Sequence, residues 1–283
     1  MARATAAALS LLLVLGGCSG LAPTPGPATP AADVTPAPVP TDDRFTGNLA
    51  PGLTADGVTS SSTLAEAHVA RLEGRSYTLV ANRTTRYRNG TLRERLALDL
   101  SLGTDRSYLV ATETDGPRAP VFLGRPPASA VFWSNGSAYA RRLTRDGTTT
   151  YSAFQPTAGA GTWQYWARTV PFGGRGGNPR GFITRTFSAV PTRTTERVAD
   201  GNETVYRVVG TRATAPIELG IEDPRDVRLS ATVTAAGLVR TLDLSYVGTV
   251  DGEVIRVHRS FRYERLENTS VDRPGWVGRA FEN

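Results

Sequence analysis

The chain predicts an α+β protein built on one large, curved antiparallel sheet with a few helices segregated from its strands. Three observations lead there. Long stretches alternate apolar and polar side chains with period two, as in strands with one face buried and one wet. Asn-Gly and Asp-Gly dipeptides punctuate those stretches at hairpin spacing. Helical patterns are few and segregated instead of alternating with the strands, which excludes a doubly wound βαβ order. With 283 residues, 40% hydrophobic and 20% charged, the chain suits one domain of ordinary globular composition with appendages.

The appendages come first. Residues 1–17 carry one cation, Arg3, then an apolar run to Leu15 closed by Gly16 and Gly17. That is the pattern of a secretory leader, and the run is too short to span a bilayer. Leu15-Gly16-Gly17-Cys18 is similar to the lipobox of prokaryotic lipoproteins. The resemblance implies cleavage before Cys18, which becomes the first mature residue and carries lipid chains. The protein would then sit on the outer face of the cytoplasmic membrane, extracytoplasmic and tethered by lipid. Residues 18–51 are rich in Pro, Ala and Thr and favour extended polyproline II, a semi-rigid spacer. A single β-rich domain is expected over residues 52–283.

In that domain Thr63-Leu64-Ala65-Glu66 forms a capping box, and Leu64, His68 and Leu72 share one helical face before Gly74. His68 thus reads as a partly buried packing residue. Leu92, Leu96, Leu98, Leu100 and Leu102 alternate with polar neighbours, with Glu94 intruding on the apolar face. Asn135-Gly136 and Asp146-Gly147 cut residues 129–155 into a three-stranded meander. Glu222–Asp226 reads as a turn before a strand at Val227, Leu229, Ala231 and Val233. Ile255, Val257, Phe261 and Tyr263 then face inward and His258 faces solvent. Each Asn-Gly or Asp-Gly step, at 89, 135, 146, 200 and 251, is expected to make a two-residue type I′ turn.

Two segments depart from period two. Residues 162–168 are aromatic and suit a short helix, and a further helix fits residues 180–189, after a Gly-rich loop at 173–177. Trp163, Tyr165, Trp166 and Phe172 fit two roles. They pack helix onto sheet, as concentrated aromatics commonly do, or they line a pocket for an apolar ligand.

Chemistry-bearing motifs are sparse. A single Cys and two His leave no disulfide framework, no Cys-rich zinc site and little for His-based catalysis. No nucleophile elbow, Walker loop or H-E-x-x-H occurs, so no cofactor, metal or catalytic residue is assigned; a hydrolase with a dispersed site is the alternative. All 32 cations are Arg and net charge is +6. Guanidinium suits phosphate and carboxylate, so anionic headgroups or glycans are candidate partners, whereas Arg scattered along strands argues against nucleic acid. Five of eight Asn lie in N-x-S/T sequons, at Asn82, Asn89, Asn135, Asn202 and Asn268, which are candidate glycosylation positions.

The segments LTADGV (53–58), AHVARLEGRSYTLVANRTTRYRNG (67–90), FWSNGSAYARRLTRDGTTTY (132–151), GTWQYW (161–166) and DRPGWV (272–277) resemble a family of halophilic-archaeal surface lipoproteins. The element order is also similar to the LolA/LppX-like lipoprotein carriers. That second resemblance implies a half-barrel with a few helices covering its concave face and an apolar or lipid ligand held between them; a structural or interaction protein of the cell envelope is the alternative.

Overall fold

The computed structural model describes residues 46–156, 161–167, 179–201 and 203–282. The leader, Cys18, most of the tether, the 173–177 loop, Phe172 and Asn202 lie outside the described residues. The body opens on three very short strands, β1 (Asn48–Ala50), β2 (Leu53–Thr54) and β3 (Gly57–Val58), paired in that order. Between the first two, Gly52 has φ +74°, and a Cβ there would lie 2.3 Å from the Ser60 carbonyl oxygen, so the turn sits tight on the start of the next helix.

That helix, α1 (Ser61–Leu72), begins three residues earlier than its capping box suggests. Ser60 is the N-cap, its hydroxyl accepting from the Thr63 amide at 3.3 Å, and Glu66 pairs with Arg180 instead of reaching back. The cap moved because Ser60, Ser61 and Ser62 offer hydroxyls before Thr63, and the earlier one is in position to serve it.

Eleven strands follow: β4 (Tyr77–Tyr87), β5 (Leu92–Leu102), β6 (Tyr108–Asp115), β7 (Ala128–Ser134), β8 (Tyr139–Arg145), β9 (Thr148–Phe154), β10 (Arg193–Asp200), β11 (Glu203–Gly210), β12 (Glu222–Thr234), β13 (Val239–Val250) and β14 (Glu253–Glu264). They form one sheet in the order β10-β11-β12-β13-β14-β4-β5-β6-β7-β8-β9, antiparallel throughout. The fold is therefore α+β, a curved antiparallel sheet that does not close on itself. Two consecutive meanders make it, and they meet at a seam where β4 pairs with β14.

Period two explains the faces. Leu79, Leu98, Leu100, Val110, Phe132, Leu229, Leu244, Val257 and Tyr263 are buried on one face, the inner one. Three helices lie there: α1, α2 (Trp163–Ala167) and α3 (Pro179–Ala189). Phe182, Ile183 and Phe187 of α3 are buried, and α3 binds α1 through a 2.6 Å hydrogen bond between the Ser61 and Ser188 hydroxyls. A fourth helix, α4 (Val277–Phe281), does not cover the inner face. It seals a second apolar cluster on the outer face, where Trp133, Ala140, Val277 and Ala280 are buried beside Trp276 and Tyr151.

Only Asp146-Gly147 and Asp251-Gly252 make the expected turn, with both central residues at positive φ (49° and 71°; 51° and 80°). At Asn89-Gly90 and Asn135-Gly136 the Gly alone is left-handed, because the Asn side chain builds the turn itself. Asn89 Oδ1 accepts from the Thr91 amide at 3.0 Å, and Asn135 Oδ1 from the Ser137 and Ala138 amides at 3.1 and 2.9 Å. Glu222–Asp226, expected as a turn, is instead the twice-bulged start of β12, with Asp223 and Asp226 at φ 49° and 54°.

Candidate functional site

Aromatic side chains gather on the inner face at the β6–β9 end. Tyr139 and Phe154 are cross-strand partners, stacked with centroids 5.4 Å apart. The Tyr165 ring of α2 lies 4.0 Å from Tyr139, 5.4 Å from Phe154 and 5.8 Å from Phe132. Deeper in, Trp163 sits edge-on to Tyr108 at 5.9 Å and to Trp166 at 4.8 Å. The Tyr108 hydroxyl donates to the Thr162 carbonyl at 2.9 Å, which satisfies a buried donor and pins the start of α2. Burial pushes the Tyr108 hydroxyl well above its ordinary pKa; it also raises that of Tyr165, with Arg141 opposing.

Exposure divides this group. Trp166 is 5% exposed and belongs to the core, and its indole N–H is buried with no hydrogen-bond partner among the described residues. Trp163 and Tyr165 are half-buried, and Phe154 is 40% exposed. Of the four aromatic residues singled out in the sequence, Trp163 and Tyr165 thus border a half-open row, Trp166 packs, and Phe172 lies outside the described residues. Tyr139 and Phe154 complete the row and were not anticipated. They are equidistant from Asp146-Gly147, so the register of a type I′ hairpin pairs them, and that signal was available.

A second constellation occupies the middle of the inner face, where four neighbouring strands carry polar groups among apolar ones. Glu94 of β5 is buried and accepts a short charge-assisted bond from Arg83 of β4 and a 3.1 Å bond from the Thr85 hydroxyl. Arg83 also donates through Nε to Glu218 at 3.1 Å. Glu218, from the loop before β12, lies 3.7 Å from the Arg259 guanidinium of β14. Burial lowers the Arg259 pKa, and the Glu218 charge opposes that shift. Burial, then the Glu218 charge, push the neighbouring Tyr246 hydroxyl far above its usual range. The arrangement borders a cavity of about 180 Å³ also lined by Leu96 and Pro120. Its geometry is that of an ionic network holding the covering loop to the sheet, with Glu218 Oε1 and the Tyr246 hydroxyl buried without a hydrogen-bond partner among the described residues. Glu94 was visible as an intruder in the strand pattern; its partners Arg83 and Thr85 lie on the neighbouring strand β4, and Glu218 and Arg259, which extend the network, come from distant segments.

Both histidines have structural surroundings. His68 is wholly buried, not partly, with its ring 5.2 Å from Tyr263 and Nδ1 accepting from the Val239 amide at 3.3 Å; burial lowers its pKa to about 3. His258 is on the outer face as expected, 2.7 Å from Asp243 Oδ2. Asn89, Asn135 and Asn268 are exposed, whereas Asn82 is half-buried on β4. Among the described residues no three His, Cys, Asp or Glu side chains cluster to hold a metal, and no helix is long and apolar enough to cross a membrane. Three further cavities, of about 380, 350 and 460 Å³, are lined by charged residues mixed with polar and apolar ones; none touches α2.

Comparison with curated proteins finds no match. Among solved structures, the LolA superfamily protein NE2245 from Nitrosomonas europaea is 8% identical, aligned over 77% of this chain and 96% of its own, with a TM-score of 0.25. LprF from Mycobacterium bovis is 11% identical over 76% and 96%, with a TM-score of 0.32. MucB in the MucA/MucB complex from Pseudomonas aeruginosa is 12% identical over 76% and 59%, with a TM-score of 0.25. Scores this low lend the chain neither a ligand nor an activity. The family model is of a different order, since it matches residues 3–280. The chain belongs to the family of unknown function DUF7537.

Proposed function

We propose that this is a lipid-anchored extracytoplasmic binding protein, held at the outer face of the cytoplasmic membrane through Cys18 and taking an apolar ligand, such as an acyl chain, on the inner face of its sheet. The observation that carries the reading is the half-open row of Tyr139, Phe154 and Tyr165. Its rings stand beside one another at the open β9 edge, yet Phe154 remains 40% exposed. Aromatics placed there for packing alone would be expected to be sealed like Trp166. The leader, the lipobox-like Cys18 and the Pro-rich spacer support the location.

The test is native purification of the full chain carrying Cys18→Ser, followed by mass spectrometry of co-extracted small molecules. Stoichiometric lipid that is lost in a Tyr165→Ala, Phe154→Ala double variant is the expected result. A monomeric protein carrying no apolar ligand, and failing to take up a fluorescent fatty acid, would overturn the reading.

A second reading has its own observation. Strand β10 is an edge strand exposed on nearly all of its length, from Arg193 to Asp200. It offers a backbone edge to a partner strand, as an interaction protein of the envelope would, although Arg193, Glu196, Arg197 and Asp200 put charge along it.

A further inference from the structure

The outer face carries a feature that the inner-face reading does not use. In the register of the sheet, Arg86 of β4 lies directly opposite Arg256 of β14, Arg256 opposite Val247 of β13, and Val247 opposite Arg225 of β12. Three guanidiniums therefore share one line across four strands, a span of about 14 Å at a strand spacing of ~4.8 Å. Like charges directly opposite one another destabilise a sheet by roughly 0.2–1 kcal/mol per pair. Some outer-face arginines elsewhere have such charge relieved: Arg207 pairs with Glu196, Arg240 with Asp200 and Arg262 with Glu264. None of Arg86, Arg225 or Arg256 makes an ion pair among the described residues.

The backbone is shaped around this row. The two bulges of β12 fall on either side of Arg225, and they put Asp223 and Asp226 in the left-handed region. Bulges re-aim side chains, and non-glycine residues at positive φ concentrate where a site requires them. Beside the row the strands leave two adjoining cavities, of about 350 and 460 Å³, that share Asp226, Val247 and Arg256. Arg88 lines the first and Arg228 the second, and Val247 and Val254 give the first an apolar floor. Five guanidiniums thus surround a groove whose one acidic lining residue is Asp226.

We infer that this groove is a binding site for a phosphate ester. Paired guanidiniums match phosphate oxygens bidentately, and the apolar floor suits the carbon skeleton that carries the phosphate. The ester reaches the groove either as a soluble phosphate or as the headgroup of an anionic lipid, and both present the same chemistry. The inference stands on the face opposite the aromatic row and is independent of the inner-face ligand.

The experiment takes the purified full chain carrying Cys18→Ser, which removes the lipid anchor, in low salt and titrates it with glycerol phosphate, with glycerol as the neutral control. In parallel it measures co-sedimentation with vesicles of phosphatidylcholine alone and with 30% phosphatidylglycerol. Saturable binding of glycerol phosphate assigns a soluble ester; binding confined to the phosphatidylglycerol vesicles assigns a headgroup. Either supports the site. The Arg225→Gln, Arg256→Gln double variant, altered only at exposed positions, is expected to weaken the bound partner at least 50-fold. Arg207→Gln, on β11 and already paired, is expected to change it less than twofold. Absence of binding to both probes overturns the proposal. So does a double variant that binds as the parent does, or an Arg207→Gln loss as large as that of the double variant. Glycerol phosphate has no acyl chain and the two kinds of vesicle differ only in headgroup, so these readings separate failure here from failure at the aromatic row.

Discussion

The guanidinium carbon of Arg259 lies 3.7 Å from the centre of the Phe182 ring, so a cation at the middle of the sheet is roofed by an aromatic face of α3. Arg259 is 5% exposed, and its charge is met by Glu218 from one side and by the ring from the other. Such a pair, withdrawn from water, contributes about 2 kcal/mol. Arg259→Ala is expected to cost about 3–5 kcal/mol, because Glu218 loses a partner in a partly buried setting. A double-mutant cycle with Phe182→Leu, read by urea unfolding, should give a coupling of about 1–2 kcal/mol. Strict additivity of the two changes would refute the contact as an energetic one.

The pH dependence should follow His68. Its folded pKa is depressed to about 3 from an unfolded 6.5, so between those values the unfolded chain binds the extra proton. Stability is then complete above pH 6.5 and falls as pH drops toward 3, with a slope approaching about 1.4 kcal/mol per unit. Replacing His68 with Gln should flatten that limb in urea titrations between pH 6.5 and 4. An unchanged slope in the variant would place the effect elsewhere.

The aromatic residues of α2 should separate by role. Trp166→Ala is expected to cost about 3–5 kcal/mol, as a large side chain leaves the core. Tyr165→Ala and Phe154→Ala should each cost about 1–2 kcal/mol, less for being partly wet, while abolishing uptake of an apolar probe. Equal losses of stability at all three positions would make the row plain packing.

On the outer face, Trp276 lies beside Tyr151 with centroids 6.2 Å apart and beneath the Arg142 guanidinium. Trp276→Ala should destabilise the β8–β9 end by about 2 kcal/mol and raise hydrogen exchange there, with the β12–β14 amides protected as before. Uniform loss of protection would contradict this local role.

Cys18→Ser is expected to shift the protein from the membrane to the soluble fraction. Retention in the membrane pellet after the substitution would refute lipid attachment at that position.

Much of this fold could be read from alternation and turns. The inward runs of β5, β12 and β14 were visible because a one-residue slip would expose every Leu and Val at once. Less legible was everything that depends on distant pairing. Glu94 looked like an interruption, since Arg83, Glu218 and Arg259 come together only when β4, β14 and the loop before β12 are assembled. The arginine row was hidden for the same reason, as cross-strand register links Arg86 to Arg256 across most of the chain. The start of β12 was misread because Asp and Pro signal turns, and bulges use the same residues. The outer-face helix α4 was missed because Val277–Phe281 is too short to show a period.

The seam between β4 and β14 has a consequence for how the chain is made. Strand β4 is synthesised early, and its partner on that side is among the last strands to emerge. Each meander grows by local hairpins, but the inner edge of β4 must wait with unpaired amides and carbonyls until the second meander is complete. Loop closure from Tyr87 to Ile255 is then the slow, committing event. A chain stalled before Glu253 would offer that waiting edge to any neighbour, so premature truncation should yield aggregates instead of a stable first half.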